Sequence, residues 1–168
     1  MSVNQITTTE SQTIVMSKLL LLLMLVVCTS CGDRLIYSDT IDIDKSGWDL
    51  NDTLCFEVEL TDTLSMIDIG MTISHTDDYP YSNIWLFLEV SSDNGSNFSD
   101  TLNYIIAESN GKWVGEKRGK NFVVNTSYRN FVRMAHSGNY RFEIRQGMRE
   151  ERLKGISKLE FRINKSER

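Results

Sequence analysis

Strict alternation of apolar and polar residues recurs along this chain of 168 residues and constrains its fold more than any other feature. Successive side chains of an extended strand point to opposite faces, so an alternating segment buries one face and exposes the other to water. The clearest examples are Phe56–Leu60, Ile67–Ile73, Tyr140–Ile144 and Leu159–Ile163. Two further strands are predicted at Leu102–Ile106 and Phe122–Val124.

The segment Ile84–Leu88 is different because every position is apolar. We therefore expect a central strand that is covered on both faces. Turn signals separate the strands, and each fits a hairpin because it contains a residue that tolerates positive φ: Ser92-Asp93-Asn94-Gly95, Asn110-Gly111 and Ser137-Gly138. Beyond the N-terminal segment, no window of about 11 residues has helical spacing. The sequence predicts an all-β fold, an antiparallel β-sandwich of about 8 strands.

The N-terminal segment has the pattern of a lipoprotein signal peptide. Lys18 precedes nine consecutive apolar residues, Leu19–Val27, a run too short to span a bilayer as a helix. Cys31 follows Thr29 and Ser30, which resembles a bacterial lipobox with Cys28 at the position where leucine is usual. We predict a signal peptide over residues 1–30 and a lipid-anchored domain over 31–168, with acylation at Cys31.

Alternatives to this processing remain open. Acylation at Cys28 would put Val27 at the cut, where a small residue is preferred, and an unacylated cut is a third reading. Met16 is an alternative start, because residues 1–15 are polar and threonine-rich and add nothing to a signal peptide. With Cys31 acylated, Cys55 is the remaining thiol of the mature chain, so stability must come from the core, which a chain of this length can supply.

Charge is divided unevenly between the two halves of the mature chain. The net charge is −5, so the chain as a whole is not predicted to bind nucleic acid. Residues 31–108 hold 2 basic and 16 acidic residues, whereas residues 109–168 hold 15 basic and 6 acidic ones. One interpretation is that outward charges pair across neighbouring strands. The other is a basic patch that meets anionic headgroups, glycan or an acidic partner: Lys117, Arg118, Lys120, Arg129 and Arg133.

Residues that carry catalysis are sparse. His75 and His136 are the two histidines, and neither has a neighbour at metal-ligand spacing. The chain contains neither a G-x-S-x-G motif nor a P-loop, and the adjacent carboxylates Asp77 and Asp78 fit a solvated turn. We predict no enzymatic activity, no metal and no cofactor.

Three segments together identify a family. They are Asp78-Tyr79-Pro80-Tyr81-Ser82-Asn83, then Asp100-Thr101-Leu102 with Tyr104 and Gly111-Lys112-Trp113-Val114-Gly115, then Gln146-Gly147-Met148-Arg149 with Leu153 and Gly155-Ile156. In this order, after a lipobox, the chain resembles the gliding motility lipoprotein GldH family of Bacteroidota from about Tyr37 to Ile163. The resemblance implies a non-catalytic protein of the cell envelope, lipid-anchored and facing the periplasm, with the outer membrane favoured. It also implies partners in the gliding machinery and the linked type IX secretion system.

Three aromatic residues of these segments are candidates for a partner surface. Pro80 fixes φ and makes the segment a rigid turn, so Tyr79 and Tyr81 either pack on the end of the sandwich or contact a partner. Trp113, between two glycines, is either a lid over the sheet edge or an exposed anchor. An alternative function is a lipoprotein that binds a glycan or small ligand on one sheet face, and exposed aromatic residues on such a face would favour it.

Four tripeptides share the form Asp-Thr-apolar, and their threonines are Thr40, Thr53, Thr63 and Thr101. This form is similar to the acceptor pattern of the O-glycosylation that Bacteroidota apply to exported proteins. The structural alternative is a strand entry in which Asp suits the turn, Thr the strand edge and the apolar residue the core.

Overall fold

The computed structural model describes residues 34–167 and shows a fold built of β-strands. Eight strands have seven or more residues: β1 (Leu35–Asp42), β3 (Leu54–Leu60), β4 (Ile67–His75), β5 (Asn83–Ser92), β6 (Asn97–Ile105), β8 (Asn121–Val132), β9 (Gly138–Gln146) and β11 (Ile156–Lys165). Three are shorter: β2 (Trp48–Asp49), β7 (Glu116–Arg118) and β10 (Arg152–Leu153). Between residues 34 and 167, no helix is long and apolar enough to span a bilayer.

Two antiparallel sheets hold the long strands. Sheet I has the order β1-β11-β4-β8-β7 and sheet II the order β3-β9-β5-β6, while β2 and β10 form a separate ribbon. Consecutive long strands alternate between the two sheets except at the β5–β6 hairpin. This is the topology of a jelly roll, two interlocked Greek keys. The predicted all-β sandwich of about 8 strands is confirmed.

The core lies between the sheets and consists of the apolar positions of the alternating segments. Phe161 of sheet I packs on Phe56 and Phe142 of sheet II, with ring centroids 5.3 and 4.6 Å apart. All three side chains are at most 1% exposed. Their polar neighbours, such as Glu57 and Arg141, point outward and are exposed. The period of two therefore decides which residues stabilise the fold.

The predicted turns have two outcomes. Gly95, at φ 84°, closes the β5–β6 hairpin, and its N–H donates to Ser92 O at 3.0 Å. Gly111 closes a second turn at φ 83°, before the bridge between Ala107 and Trp113. The turn at Ser137-Gly138, in contrast, connects β8 in sheet I to β9 in sheet II, so it crosses the sandwich and does not form a hairpin.

The prediction that Ile84–Leu88 is covered on both faces is wrong. The segment is an interior strand, β5, but a two-layer sandwich has nothing outside sheet II to cover it. Ile84, Leu86 and Leu88 face the core with no exposure. Trp85 and Phe87 point outward and are 40% and 42% exposed. The strand predicted at Phe122–Val124 also proves longer, because it belongs to the twelve-residue β8.

Antiparallel pairing gives the sandwich two distinct ends. At the Arg34 end lie the start of β1, the end of β11, the β3–β4 loop and the β8–β9 crossing. At the opposite end, named the Tyr79 end, lie the connections 43–53, 76–82, 106–115 and 147–155. The three sequence segments that identify the family contribute the last three of these connections.

Candidate partner-binding surface

Three connections of the Tyr79 end, 76–82, 106–115 and 147–155, interlock through backbone hydrogen bonds. Thr76 N–H donates to Gly155 O at 2.8 Å, which joins 76–82 to 147–155. The N–H groups of Ile106 and Ala107 donate to Ser82 O at 2.8 and 2.9 Å, which joins 76–82 to 106–115. The topology therefore brings segments far apart in sequence into one unit.

Tyr79 belongs to the core of this unit. Its side chain is 2% exposed, and its hydroxyl donates to Asn83 O at 2.8 Å. Burial raises the pKa of Tyr79 well above its usual range. Gly155, at φ 85°, makes the burial possible, because a Cβ there would lie 2.4 Å from Tyr79 N. Of the three aromatic candidates, Tyr79 is thus a packing residue at the sandwich end and is not accessible to a partner in this structure.

Trp113 covers a buried histidine. Its indole lies edge-on to His75 with centroids 4.6 Å apart, and its Nε1–H donates to Asp77 Oδ1 at 2.9 Å. Phe122 stacks on His75 at 5.5 Å and also lies 5.9 Å from the Trp113 ring, so the three rings form one cluster. Burial lowers the pKa of His75 and so favours the neutral ring, with Nδ1 placed 3.1 Å from Thr76 O. The half-buried Trp113 therefore has the geometry of a lid over the sheet edge.

Tyr81 and Met148 lie at the surface, and a buried amide orders the loop beneath them. Gln146 is 1% exposed; its Nε2–H donates to Glu150 O at 2.7 Å, and its Oε1 accepts from Met148 N–H at 2.9 Å. The Tyr81 hydroxyl donates to a Glu150 carboxylate oxygen, which raises the pKa of Tyr81. The backbone N–H of Trp85 points at Met148 Sδ, 3.4 Å away.

Beside this loop, β5 presents its outward aromatic residues. Gly147 N–H donates to Trp85 O at 2.7 Å, and a Cβ at Gly147 would lie 3.2 Å from the Phe87 ring. The glycine therefore lets the aromatic ring lie close to the loop. We name this set the Trp85 surface, which consists of the exposed Trp85, Phe87 and Ile105 and the half-buried Tyr81 and Met148.

The register places polar groups among these apolar ones. Asn103 lies opposite Trp85 on β6, and Asn83 Nδ2 donates to Asn103 Oδ1 at 2.8 Å. Thr101 lies opposite Phe87 on β6, and Arg145 lies opposite Phe87 on β9. The Trp85 surface is thus apolar at its centre and polar at its rim, as binding surfaces commonly are.

Sequence reasoning missed Trp85 and Phe87 as site residues, although a signal was present. The predicted two-layer sandwich has no third layer, so a strand apolar on both faces must expose one of them. Applied to Ile84–Leu88, that rule requires one of its two faces to be exposed, and the structure exposes the face that carries Trp85 and Phe87.

None of the four threonines predicted as glycosylation sites belongs to the Trp85 surface, although Thr101 lies at its rim, opposite Phe87. Thr40, Thr53 and Thr101 are exposed, and Thr63 is half-buried. Thr63 lies in a turn that its neighbour Asp62 closes, because Asp62 Oδ1 accepts from Leu64 N–H and Ser65 N–H at 2.9 and 3.0 Å. Hydrogen bonds, above all from the Ser65 hydroxyl, lower the pKa of Asp62 to about 2. Cys31, Met16 and the predicted signal peptide lie outside the described residues.

Charge pairing across strands accounts for the uneven charge of the sequence. Seven of the ten ion pairs between residues 34 and 167 join a residue before 109 to one after it, for example Glu57 with Arg141 and Asp100 with Arg129. The basic patch does not form as predicted. Arg118 and Arg133 lie at opposite ends of β8, and Arg129 is paired with Asp100. Over the same residues, no group of three or more His, Cys, Asp or Glu side chains is arranged for a metal ion.

Fold and surface together define a class, a small jelly-roll protein with an interlocked loop end and an aromatic patch on one sheet. Comparison with known sequences then identifies the family. The chain belongs to the GldH lipoprotein family, whose sequence model matches residues 35–163. The predicted resemblance is confirmed, and with it the description of the chain as a lipoprotein of the cell envelope.

Two named relatives match almost end to end. The chain is similar to the gliding motility lipoprotein GldH homolog of Christiangramia forsetii, with 30% identity over 150 residues, 85% of this chain and 91% of the relative. It is also similar to gliding motility lipoprotein GldH of Flavobacterium johnsoniae, with 23% identity over 155 residues, 88% of this chain and 96% of the relative.

Among solved structures, the chain is similar to the VP2 subviral particle of infectious bursal disease virus. The TM-score is 0.36 and the identity 13%, with 77% of this chain and 32% of the viral chain covered. The chain therefore spans about a third of the length of that viral protein.

Proposed function

We propose that this protein is a non-catalytic, lipid-anchored subunit of the envelope assembly that drives gliding motility and is linked to type IX secretion. Its relatives carry gliding motility in their names, which supports this assembly as the place of action. An acyl group on Cys31 anchors it in the envelope membrane, facing the periplasm, with the outer membrane favoured. The Trp85 surface contacts a protein partner of that assembly.

The observation that carries the proposal is the exposure of Trp85 and Phe87 beside the interlocked loops. Two large aromatic side chains about 40% exposed on one face are unusual for a surface without a partner. Aromatic residues in an apolar centre with a polar rim carry much of the binding energy of protein interfaces. The loops are fixed by buried groups such as Gln146, so little ordering is needed on binding.

Site-specific photo-crosslinking in the native envelope tests the partner surface. A photoreactive phenylalanine replaces Trp85 in one strain and Glu57 in another, since both residues are exposed on the outer face of sheet II. We expect a defined adduct from position 85 and none from position 57. Equal adducts from both positions, or none from position 85, would contradict docking at the Trp85 surface.

The anchor is tested separately by Cys31→Ala. Buried acyl chains contribute about 0.8 kcal/mol per methylene, so two or three chains hold a protein firmly on a membrane. The variant should therefore be unprocessed or released from membranes. Normal processing together with membrane flotation of Cys31→Ala would overturn acylation at this residue.

A second candidate function is glycan binding on the same surface. It is favoured by the position of Trp85 and Phe87 two residues apart on one strand, about 7 Å along it, next to the amides of Asn83 and Asn103. Flat apolar rings flanked by amide hydrogen-bonding groups suit sugar rings. Titration of envelope oligosaccharides against the protein, read by tryptophan fluorescence, should give a saturable change that Trp85→Ala removes. An unchanged signal at all concentrations would reject this candidate.

A further inference from the structure

The Arg34 end carries half of the exposed large apolar side chains of the described chain. Ten such residues are exposed between positions 34 and 167, and five of them lie at this end: Leu35, Leu64, Met66, Phe98 and Phe131. Leu64 is 80% exposed and Phe131 is 61% exposed, the two highest values of the ten. Single exposed apolar residues are ordinary, but a group at one end of a domain indicates an interaction site.

Phe131 is exposed because the backbone directs it outward. The β4–β8 pairing is irregular between Ile67 and Gly70, and Phe131 has a φ of 53°, in the left-handed region. A side chain at such a φ strains the backbone, and bulges of this kind re-aim side chains. Asp68 Oδ1 stabilises the conformation by accepting from Phe131 N–H at 2.9 Å. A phenylalanine that faces water therefore occupies a position where glycine or asparagine would fit better.

The acylated residue is tethered close to these side chains. Lys165 N–H donates to Arg34 O at 2.7 Å, and Leu35 pairs with Asn164, so the chain is fixed in sheet I from its first described residues. Cys31 precedes Arg34 by three residues, which reach about 11 Å at most when fully extended. A tether this short keeps the Arg34 end next to the lipid that the acyl chains enter.

We propose that the Arg34 end lies directly against the bilayer, with Leu64 and Phe131 inserted at the level of the headgroups. This inference rests on the proposed acylation of Cys31. This end carries charges of both signs: Arg34 pairs with Glu167 and Lys165 with Asp62, while Arg133, Glu59 and Asp93 form no ion pair among the described residues. No single sign of charge dominates, so apolar contact and not charge attraction provides the binding. A neutral phosphatidylcholine surface is therefore sufficient.

This orientation turns the Tyr79 end away from the membrane. A ten-residue strand such as β11 spans about 30 Å. The interlocked loops are thus held about 30 Å from the lipid, at a fixed angle to it. A flexible tether alone would leave the orientation of the domain variable. Contact of these two side chains with the bilayer, beside the anchor, fixes that orientation.

An environment-sensitive fluorophore tests the orientation. The acylated protein with Cys55→Ser is labelled at Ala135→Cys in the β8–β9 crossing, or at Lys154→Cys at the Tyr79 end, both exposed positions. Each sample is reconstituted into phosphatidylcholine vesicles with and without nitroxide-labelled acyl chains. We expect a blue-shifted, nitroxide-quenched emission at position 135 and an unshifted, unquenched emission at position 154.

A variant pair shows whether the apolar side chains cause the contact. In the Ala135→Cys background, Leu64→Ser with Phe131→Ser should abolish the shift and the quenching. Leu50→Ser with Val114→Ser removes two exposed apolar residues of the Tyr79 end and should leave both unchanged. Circular dichroism confirms that each variant is folded.

The outcomes separate the two proposals. Vesicle flotation of the Leu64→Ser, Phe131→Ser variant reports the acyl anchor alone, so a variant that does not float contradicts the acylation and this inference with it. A protein that floats while its position 135 emits as in water contradicts only the docking. A blue shift without nitroxide quenching means that protein, not lipid, covers this end, and it also overturns the inference.

Discussion

Asp68 Oδ1 accepts a hydrogen bond from the backbone N–H of Phe131 at 2.9 Å and thereby stabilises an exposed aromatic residue in the left-handed region. The same oxygen accepts from the Ser166 hydroxyl at 2.6 Å. One carboxylate thus ties the end of β8 to the segment after β11, next to the first described residues of the chain. The strained backbone is maintained by its neighbours, as is common where a conformation serves function.

Relief of this strain should stabilise the protein. Asparagine tolerates positive φ, so Phe131→Asn should raise the free energy of unfolding by about 0.5–1 kcal/mol. Phe131→Ala keeps the strain and serves as the control, with little change expected. Urea denaturation at constant pH measures both. If Phe131→Asn has a lower free energy of unfolding than Phe131→Ala, the backbone at position 131 stores no strain.

The core assignment is tested by two adjacent residues. Phe142 is 1% exposed and packs on Phe161, so Phe142→Ala should lower the free energy of unfolding by about 3–5 kcal/mol. Arg141 is exposed and pairs with Glu57 and Glu143, so Arg141→Ala should cost less than about 1 kcal/mol. Similar losses measured by urea denaturation would contradict the alternation.

Gly155 should tolerate no side chain. A Cβ at this position would lie 2.4 Å from Tyr79 N, and φ is 85°. We expect Gly155→Ala to lower the free energy of unfolding by about 3 kcal/mol or more. The backbone at Tyr79 must move, and the new alanine must adopt a strained φ. Gly119 has φ 65° with open space around it, so Gly119→Ala isolates the conformational cost, about 1 kcal/mol. Equal melting-temperature shifts for the two variants would show that the backbone at Tyr79 moves away from the added Cβ at little cost in free energy.

His75 should make stability depend on pH. Its folded pKa is below the ordinary value of 6.5, so below about pH 6.5 the unfolded chain binds more protons than the folded one. The contribution of the neutral ring is therefore complete above pH 6.5 and is lost as the pH falls toward the folded pKa. We expect His75→Gln to have a flatter stability profile than the wild type between about pH 7.5 and 5.5. Exposed His136 provides the control, and a flattening by His136→Gln of the same size would reject the assignment.

Glycosylation of the four threonines is tested by intact mass. Protein purified from its native host is compared with the quadruple Thr→Ala variant at positions 40, 53, 63 and 101. We expect the wild type to be heavier than polypeptide plus lipid by the mass of a glycan, because three of these hydroxyl-bearing side chains are exposed. A wild-type mass equal to polypeptide plus lipid would leave the Asp-Thr pairs as strand and turn elements alone.

A strand could be predicted from the sequence where one of its faces is buried and the other is exposed. Alternation identified β3, β4, β9 and β11 because each has one face in the core. β1 gave no such signal, since it is an edge strand with Ser38, Asp39 and Thr40 exposed in succession. The short strands β2, β7 and β10 depend on pairing with partners elsewhere in the chain, which no local pattern encodes.

The site was predictable only in part, for a topological reason. Tyr79, Tyr81 and Trp113 were predicted as candidates for a partner surface, yet their exposure depends on what packs over them. Tyr79 is buried by Gly155, which is 76 positions away in the chain. Such a contact follows from the order of strands in the sheets and cannot be derived from the spacing of residues in one segment.

The pairing of β1 with β11 has a kinetic consequence. The first and last strands of the described chain are neighbours in sheet I, and Ser38 bonds to Glu160, 122 positions away. Folds dominated by such distant contacts fold slowly, because the entropy of closing a long loop is lost before any stabilising contact forms. Because β11 pairs with both β1 and β4, sheet I cannot close until the last described strand is available. The strand order thus makes completion of the sandwich a late event in folding.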